Sequence, residues 1–243
     1  PSLFLYFTKF AVILSNIRLD YSVYLMVRYT LLLVSPSCYN SCVRIYLIRH
    51  VTTEYNITGI YMGRTYDISV DSKFANDFKQ KAISNTGFFK NVSVVISSPS
   101  IRCIQTSSML LESAGVTAPV TIDLGFMETD MGGFEGKTAQ SIEKEYPNEF
   151  ELWRHSSTNF VFPGGESYLA VQQRSYDALN AVVTRTPDSL DLVIVSHVDV
   201  IKMLIFKILG VSVEMKKFLY IDNGSISCLE TYKDGYKVKF MNL

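Results

Sequence analysis

Three apolar runs in this chain stop abruptly at polar residues, and that pattern limits what it can fold into. Ile45-Tyr46-Leu47-Ile48 ends in Arg49-His50, Val94-Val95-Ile96 in Ser97-Ser98-Pro99, and Leu192-Val193-Ile194-Val195 in Ser196-His197. Short β-branched runs separated by amphipathic helical stretches read as buried strands of an α/β layer fold. In open sheets of that kind, ligands bind at the carboxyl ends of the strands. The strand ends then deliver Arg49, His50, Arg102 and His197 to one region.

These residue types suit an anionic substrate. Arginine presents a planar fork that matches phosphate oxygens, and histidine serves as nucleophile or proton carrier. Ser98 is placed to cap a helix with Pro99 at its first position. Arg102 then lies in the first turn, where helix N-termini favour anions. After His197 a helical run, Val200 to Leu209, stops at Gly210.

The motifs around these residues resemble the histidine phosphatase superfamily, its phosphoglycerate-mutase-like branch, closest to the alpha-ribazole phosphatase and broad phosphatase subgroups. The family's Arg-His-Gly-x-Thr-x-x-Asn is met by Arg49-His50-Val51-Thr52-Thr53-Glu54-Tyr55-Asn56. Its Ser-Ser-x-x-x-Arg-x-x-Gln-Thr is met by Ser97, Ser98, Arg102, Gln105 and Thr106. Glu128, Gly132, Glu135 and Gly136 match Glu-x-x-x-Gly-x-x-Glu-Gly, Pro163 to Ser167 match Pro-Gly-Gly-Glu-Ser, and Ser196-His197 the late Ser-His. The likeness runs from Arg44 to about Tyr232. Val51 stands where the family has glycine after the first histidine, and Val198-Asp199 where it has Gly-Gly after the second.

The resemblance implies a three-layer α/β sandwich with a mainly parallel central sheet between helices. It implies phosphoryl transfer through a phosphorylated His50. The attacking ring nitrogen must be neutral, and two neighbouring arginines lower the pKa of a histidine. Arg49 and Arg102 would bind the phosphate oxygens, with donors from His197 and the Asn56 amide. Glu128 occupies the family's acid position and would protonate the leaving group, then activate water. Asp130 reads as exposed or structural and Glu135-Gly136 as turn chemistry. Asp199 favours the start of a helix. His155 reads as a surface or loop residue, Cys103 as a buried helix residue, and Phe160, Phe162, Tyr55 and Tyr61 mostly as packing, with one or two lining the leaving-group pocket.

Composition excludes several classes. Lys plus Arg and Asp plus Glu number 23 each, so no basic excess points to nucleic acid. Four cysteines in 243 residues make no disulfide scaffold and fit a reducing, cytoplasmic setting for the catalytic domain. With three histidines and no Cys-x-x-Cys, neither a zinc site nor any other cofactor is expected. Cys38 and Arg44 have the spacing of a cysteine-dependent phosphatase, but no glycine between them allows a phosphate-cradling loop.

Residues 1–43 form an apolar extension ahead of a domain spanning 44–243. Neither Phe4–Leu14 nor Tyr21–Val34 reaches the roughly 20 residues of a spanning helix. Membrane contact through a signal anchor or an interfacial segment, and a stretch foreign to the mature protein, remain alternatives. Strands are expected near 44–49, 92–97, 120–124, 192–196, 219–231 and 236–242, with a hairpin turn at Asp234-Gly235. Helices are expected near 73–84, 101–114, 139–145, 168–186 and 200–209. Pro147 to Gly165 lacks clear periodicity and reads as a substrate-covering excursion.

The function expected is a metal-independent phosphomonoesterase acting on a small phosphorylated substrate. A phosphoglycerate mutase shares its first half-reaction, and a non-catalytic, membrane-attached phosphate-binding protein is the reading from another class. Substrate identity and oligomeric state are not set by the sequence.

Overall fold

The computed structural model describes residues 42–155, 158–187, 189–233 and 235–243. Most of the first 43 residues, Cys38 among them, lie outside that range. Cys42–Leu243 forms one unit. Val43, assigned above to the extension, belongs to this unit: it is buried, its N–H donates to Thr231 Oγ1 and its carbonyl accepts the Thr231 N–H.

Six strands form one sheet: β1 Arg44–Arg49, β2 Val92–Ser97, β3 Val120–Ile122, β4 Asp191–Ser196, β5 Ile226–Tyr232 and β6 Gly235–Phe240. The order is β3-β2-β4-β1-β5-β6. The β2–β3, β2–β4 and β1–β4 pairs are parallel; β1–β5 and β5–β6 are antiparallel. Among the described residues the helices are α1 Glu54–Thr58, α2 Ser72–Ser84, α3 Ile101–Ala114, α4 Ala139–Glu145, α5 Pro147–His155, α6 Tyr168–Arg185 and α7 Val198–Leu209.

The two-residue period of a strand divides the core. Ile45, Leu47, Leu192 and Ile194 face one cluster with Leu179 and Val182 of α6 and Ile201, Leu204 and Ile205 of α7. Tyr46, Ile48, Val193 and Val195 face the other, with Phe78 and Ala82 of α2 and Cys103 and Leu110 of α3. This is the expected three-layer arrangement. Because β1 and β4 are covered on both faces, they read as continuous apolar runs.

Three local expectations need correction. The helix cap before α3 is Ser100, not Ser98, and its side chain makes no capping bond. The Ser98 hydroxyl is engaged by His197, and Asp67 Oδ1 accepts the Ile101 N–H at 2.7 Å instead. The strand expected at 219–231 begins only at Ile226. Ile221 is buried within a turn that closes over the end of β1, so its apolarity serves burial without a ladder. The segment after Pro147 is helical through His155. Trp153 packs against Phe150, one turn before it, and against Phe134, which also meets Phe160 and Phe162. That aromatic cluster stabilises a short helix whose own periodicity is weak.

Candidate active site

The carboxyl ends of β1, β2 and β4 converge. Arg49 pairs with Ser196 in register, and Ser97 with Val195. His50 and His197 follow β1 and β4, and their rings lie 5.3 Å apart, edge to face. A cavity of about 220 Å³ is lined by Arg49, His50, Asn56, Arg102 and Glu128 on its polar side. Tyr55, Tyr61, Met62, Met131 and Val198 line its apolar side. A second hollow of about 190 Å³ shares Gly63, Arg102 and Glu128 with it and reaches Ser98 and His197.

His50 is 2 % exposed. Its Nδ1 lies 2.8 Å from the carbonyl oxygen of Val51. An N–H at Nδ1 donates there, and the lone pair is left on Nε2. Burial, then Arg102 and Arg49, hold the imidazole well below its ordinary pKa, in the neutral form. Val51 is compatible with this geometry. Positive φ occurs, outside glycine, only at Lys233 and Asn242 among the described residues. The Val51 N–H donates to Thr106 Oγ1 at 3.0 Å and its side chain is buried in the second core cluster.

Arg49 is anchored through Nη1 to the Ile221 carbonyl at 2.6 Å. Arg102, 1 % exposed, donates from Nη2 to Gly63 O at 3.0 Å and from Nη1 to Tyr66 O at 3.2 Å. The Nε groups of both arginines are buried without a partner among the described residues, a donor surplus that an oxyanion relieves. Gly63 has φ +53°, and a Cβ there would collide with the Glu135 side chain, so this close approach requires glycine.

Asn56 closes a capping box with Thr53. Its Oδ1 accepts from Thr53 N at 3.0 Å and Asn223 Nδ2 at 3.1 Å, which fixes the orientation of the amide. His197 is fully buried. Its Nε2 is 2.7 Å from Ser98 Oγ, and its Nδ1 faces Arg102 Nη2 at 3.2 Å and Glu128 Oε2 at 4.0 Å. The expected donation to substrate therefore has to come from Nδ1. The Arg102 guanidinium can only donate, so while it faces Nδ1 that nitrogen accepts and the ring proton sits on Nε2, toward Ser98. Donation from Nδ1 requires Arg102 Nη2 to turn to the phosphate and the Ser98 hydroxyl to donate to Nε2.

Glu128 is 7 % exposed, and its carboxyl is pushed up to about 8. Burial is the main cause and Asp199 adds to it; the Thr129 N–H, Arg102 and Arg49 oppose it. A carboxylic acid protonated at neutral pH, beside two arginines and a neutral histidine, suits general acid catalysis.

The roles of several residues that hold this arrangement were not legible in the sequence. Arg64 Nε and Arg174 Nη2 both donate to the Glu128 carbonyl, at 2.8 and 3.0 Å. Glu166, in the Pro-Gly-Gly-Glu-Ser motif, accepts from both arginines and from Asp130 N. Asn223 donates to His50 O, and Gly224 N to Arg49 O and His50 O. Only the turn-type dipeptide Asn223-Gly224 hinted at this contact. Asp130 receives the local Gly132 N–H, a structural contact. Glu135, read as turn chemistry, accepts the Met131 N–H and, across the fold, the N–H groups of Arg64 and Thr65, so its carboxylate ties the segment after Gly63 to the Met131 turn. Tyr55 and Tyr61 line the cavity, Phe160 and Phe162 pack in the core, and His155 is exposed beside Glu151.

Residues 45–243 match the family model of the histidine phosphatase superfamily, branch 1, and the chain belongs to that family. It is a phosphatase of the α/β, phosphoglycerate-mutase-like type. It is 26% identical over 187 residues to phosphoserine phosphatase 1 of Hydrogenobacter thermophilus, covering 77% of this chain and 86% of that protein. It is 28% identical over 190 residues to the "Probable phosphoglycerate mutase GpmB" of Cronobacter sakazakii, covering 76% and 83%. A mycobacterial glucosyl-3-phosphoglycerate phosphatase structure with VO3 superposes with a TM-score of 0.70 at 25% identity, covering 82% of this chain and 98% of that one. The chain also spans 51% of longer mycobacterial proteins that it matches at 27% identity. No helix among the described residues is long and apolar enough to cross a membrane.

Proposed function

We propose that this phosphatase hydrolyses small phosphate monoesters by double displacement on His50, without a metal ion. The observation that carries the reading is the Nδ1 bond of His50 to the Val51 carbonyl, which leaves Nε2 for the cavity between Arg49 and Arg102. In the first step Nε2 attacks phosphorus. The N–P bond forms as the bond to the leaving oxygen breaks, and that oxygen takes the Glu128 proton. Arg49, Arg102, His197 Nδ1 and the Asn56 amide meet the charge on the remaining phosphate oxygens. In the second step the Glu128 carboxylate removes a proton from water as its oxygen attacks phosphorus. The N–P bond breaks, phosphate leaves, and both side chains return to their starting forms.

The apolar wall of Tyr55, Tyr61, Met62 and Met131 supports an organic leaving group held by contact. The relatives named for phosphoserine and glucosyl-3-phosphoglycerate make small phosphorylated metabolites the first panel to assay. A mutase needs a cationic anchor for a second acidic group. Of the two candidates after Pro147, Arg154 stacks on Phe150 and His155 pairs with Glu151, which favours hydrolysis. Trapping the enzyme with substrate during turnover tests the route. An acid-labile phosphate on His50 supports it; label on serine, cysteine or aspartate overturns it.

A further inference from the structure

A second carboxylate is buried beside Glu128. Asp199, in the first turn of α7, is 8 % exposed against 7 % for Glu128. Thr129 joins the two: its N–H donates to Glu128 Oε1 at 2.9 Å and its hydroxyl to Asp199 Oδ2 at 3.5 Å. The nearby cations direct their contacts elsewhere. Arg49 reaches Ile221 O, Arg102 reaches Gly63 O and Tyr66 O, and Arg64 and Arg174 reach only the backbone oxygen of Glu128. Lys202 Nζ donates to Lys216 O at 3.0 Å.

The environments of the two acids differ. Asp199 meets the N-terminal end of α7, whose free N–H groups favour negative charge. Lys202 lies one turn on and interacts with it electrostatically, as does Lys216. Glu128 has no helix end, and the groups facing it are Arg49, Arg102, Cys103, His197, Tyr168, Asp199 and Lys202. Two carboxyl groups in one low-dielectric region do not both ionise readily, and their surroundings decide which keeps the proton.

We propose that Asp199 is a positioning residue for the proton of Glu128: its charge, held in place by Thr129 and the start of α7, keeps that proton on Glu128 until the leaving oxygen takes it. The same charge makes the Glu128 carboxylate a stronger base toward water in the second step. Burial raises the carboxyl of Glu128, and Asp199 is the leading charge that raises it further, which agrees with the geometry. The proposal rests on Glu128 being the acid.

The test is the pH–rate profile of the full-length Asp199→Asn enzyme on an alkyl phosphate, between about pH 5 and 9. Removing the charge moves the basic limb of kcat to lower pH by roughly one unit. KM changes little, and Asp199→Glu restores the limb. A folded Asp199→Asn enzyme whose basic limb coincides with that of the parent overturns the proposal. If Asp199→Asn does not fold, Asp199→Ser gives the same reading, because it removes the charge and fits the same space. Failure of the underlying acid assignment is distinguishable: Glu128→Gln would then retain the parent's dependence on leaving group, whatever Asp199 does.

Discussion

The imidazole Nδ1 of His50 lies 2.8 Å from the carbonyl oxygen of its own chain neighbour, Val51. A single backbone contact thus selects the tautomer of the proposed nucleophile. The Val51 N–H is in turn held by Thr106 on α3, which sets the position of that carbonyl. His50→Ala should abolish turnover and covalent phosphate together and leave the fold intact. Thermal unfolding and phosphate labelling of the same preparation check this; labelling that survives the substitution removes His50 from the mechanism.

Glu128→Gln should slow esters with poor leaving groups by roughly 10²- to 10⁴-fold, the usual range for general acid catalysis. Aryl phosphates should lose less in the first step, because their oxygen leaves without a proton. A linear free-energy plot over a leaving-group series decides. Equal losses along the whole series count against the acid role.

The pH dependence has a definite sign. Glu128 is raised to about 8, so its acid form persists at neutral pH and is lost as pH rises through about 8. His50 is held well below its ordinary range, so it stays neutral where a free histidine would protonate. Turnover of an alkyl phosphate should therefore fall above about pH 8 and show no acidic limb near the ordinary histidine value of about 6.5. A profile centred on an acidic limb near that value would contradict the arrangement.

Glu166→Gln should weaken both fold and catalysis. Glu166 holds Arg64 and Arg174, and both hold the carbonyl of Glu128. Leaving partly buried guanidinium groups short of a charged partner costs roughly 1–3 kcal/mol, to be read from chemical denaturation. The kcat for alkyl phosphates should fall more than KM rises, because the acid loses its placement. An unchanged kcat would show that the network serves stability alone.

Products separate hydrolysis from mutase activity. Inorganic phosphate should be released from simple monoesters without a bisphosphate primer, and with EDTA present, since arginines supply the positive charge at the site. Following phosphate and isomerised phosphoglycerate together is the decisive assay. Fast primer-dependent isomerisation with little phosphate release would make the enzyme a mutase that uses the same phosphohistidine.

The chain's own order of residues determined the layers and the reacting groups. Apolar runs covered on both faces need no partner to be recognised, so β1, β2 and β4 and the polar residues that end them were readable, as were α3, α4 and α6. Arg49, His50, Asn56, Arg102, Glu128 and His197 were picked out by motif, and the fold brings all six to the connected hollows. Only tertiary structure decided how they are held. Whether the Ser98 hydroxyl caps a helix or meets His197 depends on a residue 99 positions away. Whether Ile221 lies in a strand or covers Arg49 depends on a contact spanning 172 positions. The short helix α5 exists through aromatic packing against Phe134. Asp199 reads as an ordinary helix-start residue until the fold places it, through Thr129, beside Glu128. Local pattern reports which face a residue buries. It carries no record of which distant donor or charge that face will meet, and those long-range encounters set the tautomers and proton affinities on which the chemistry depends.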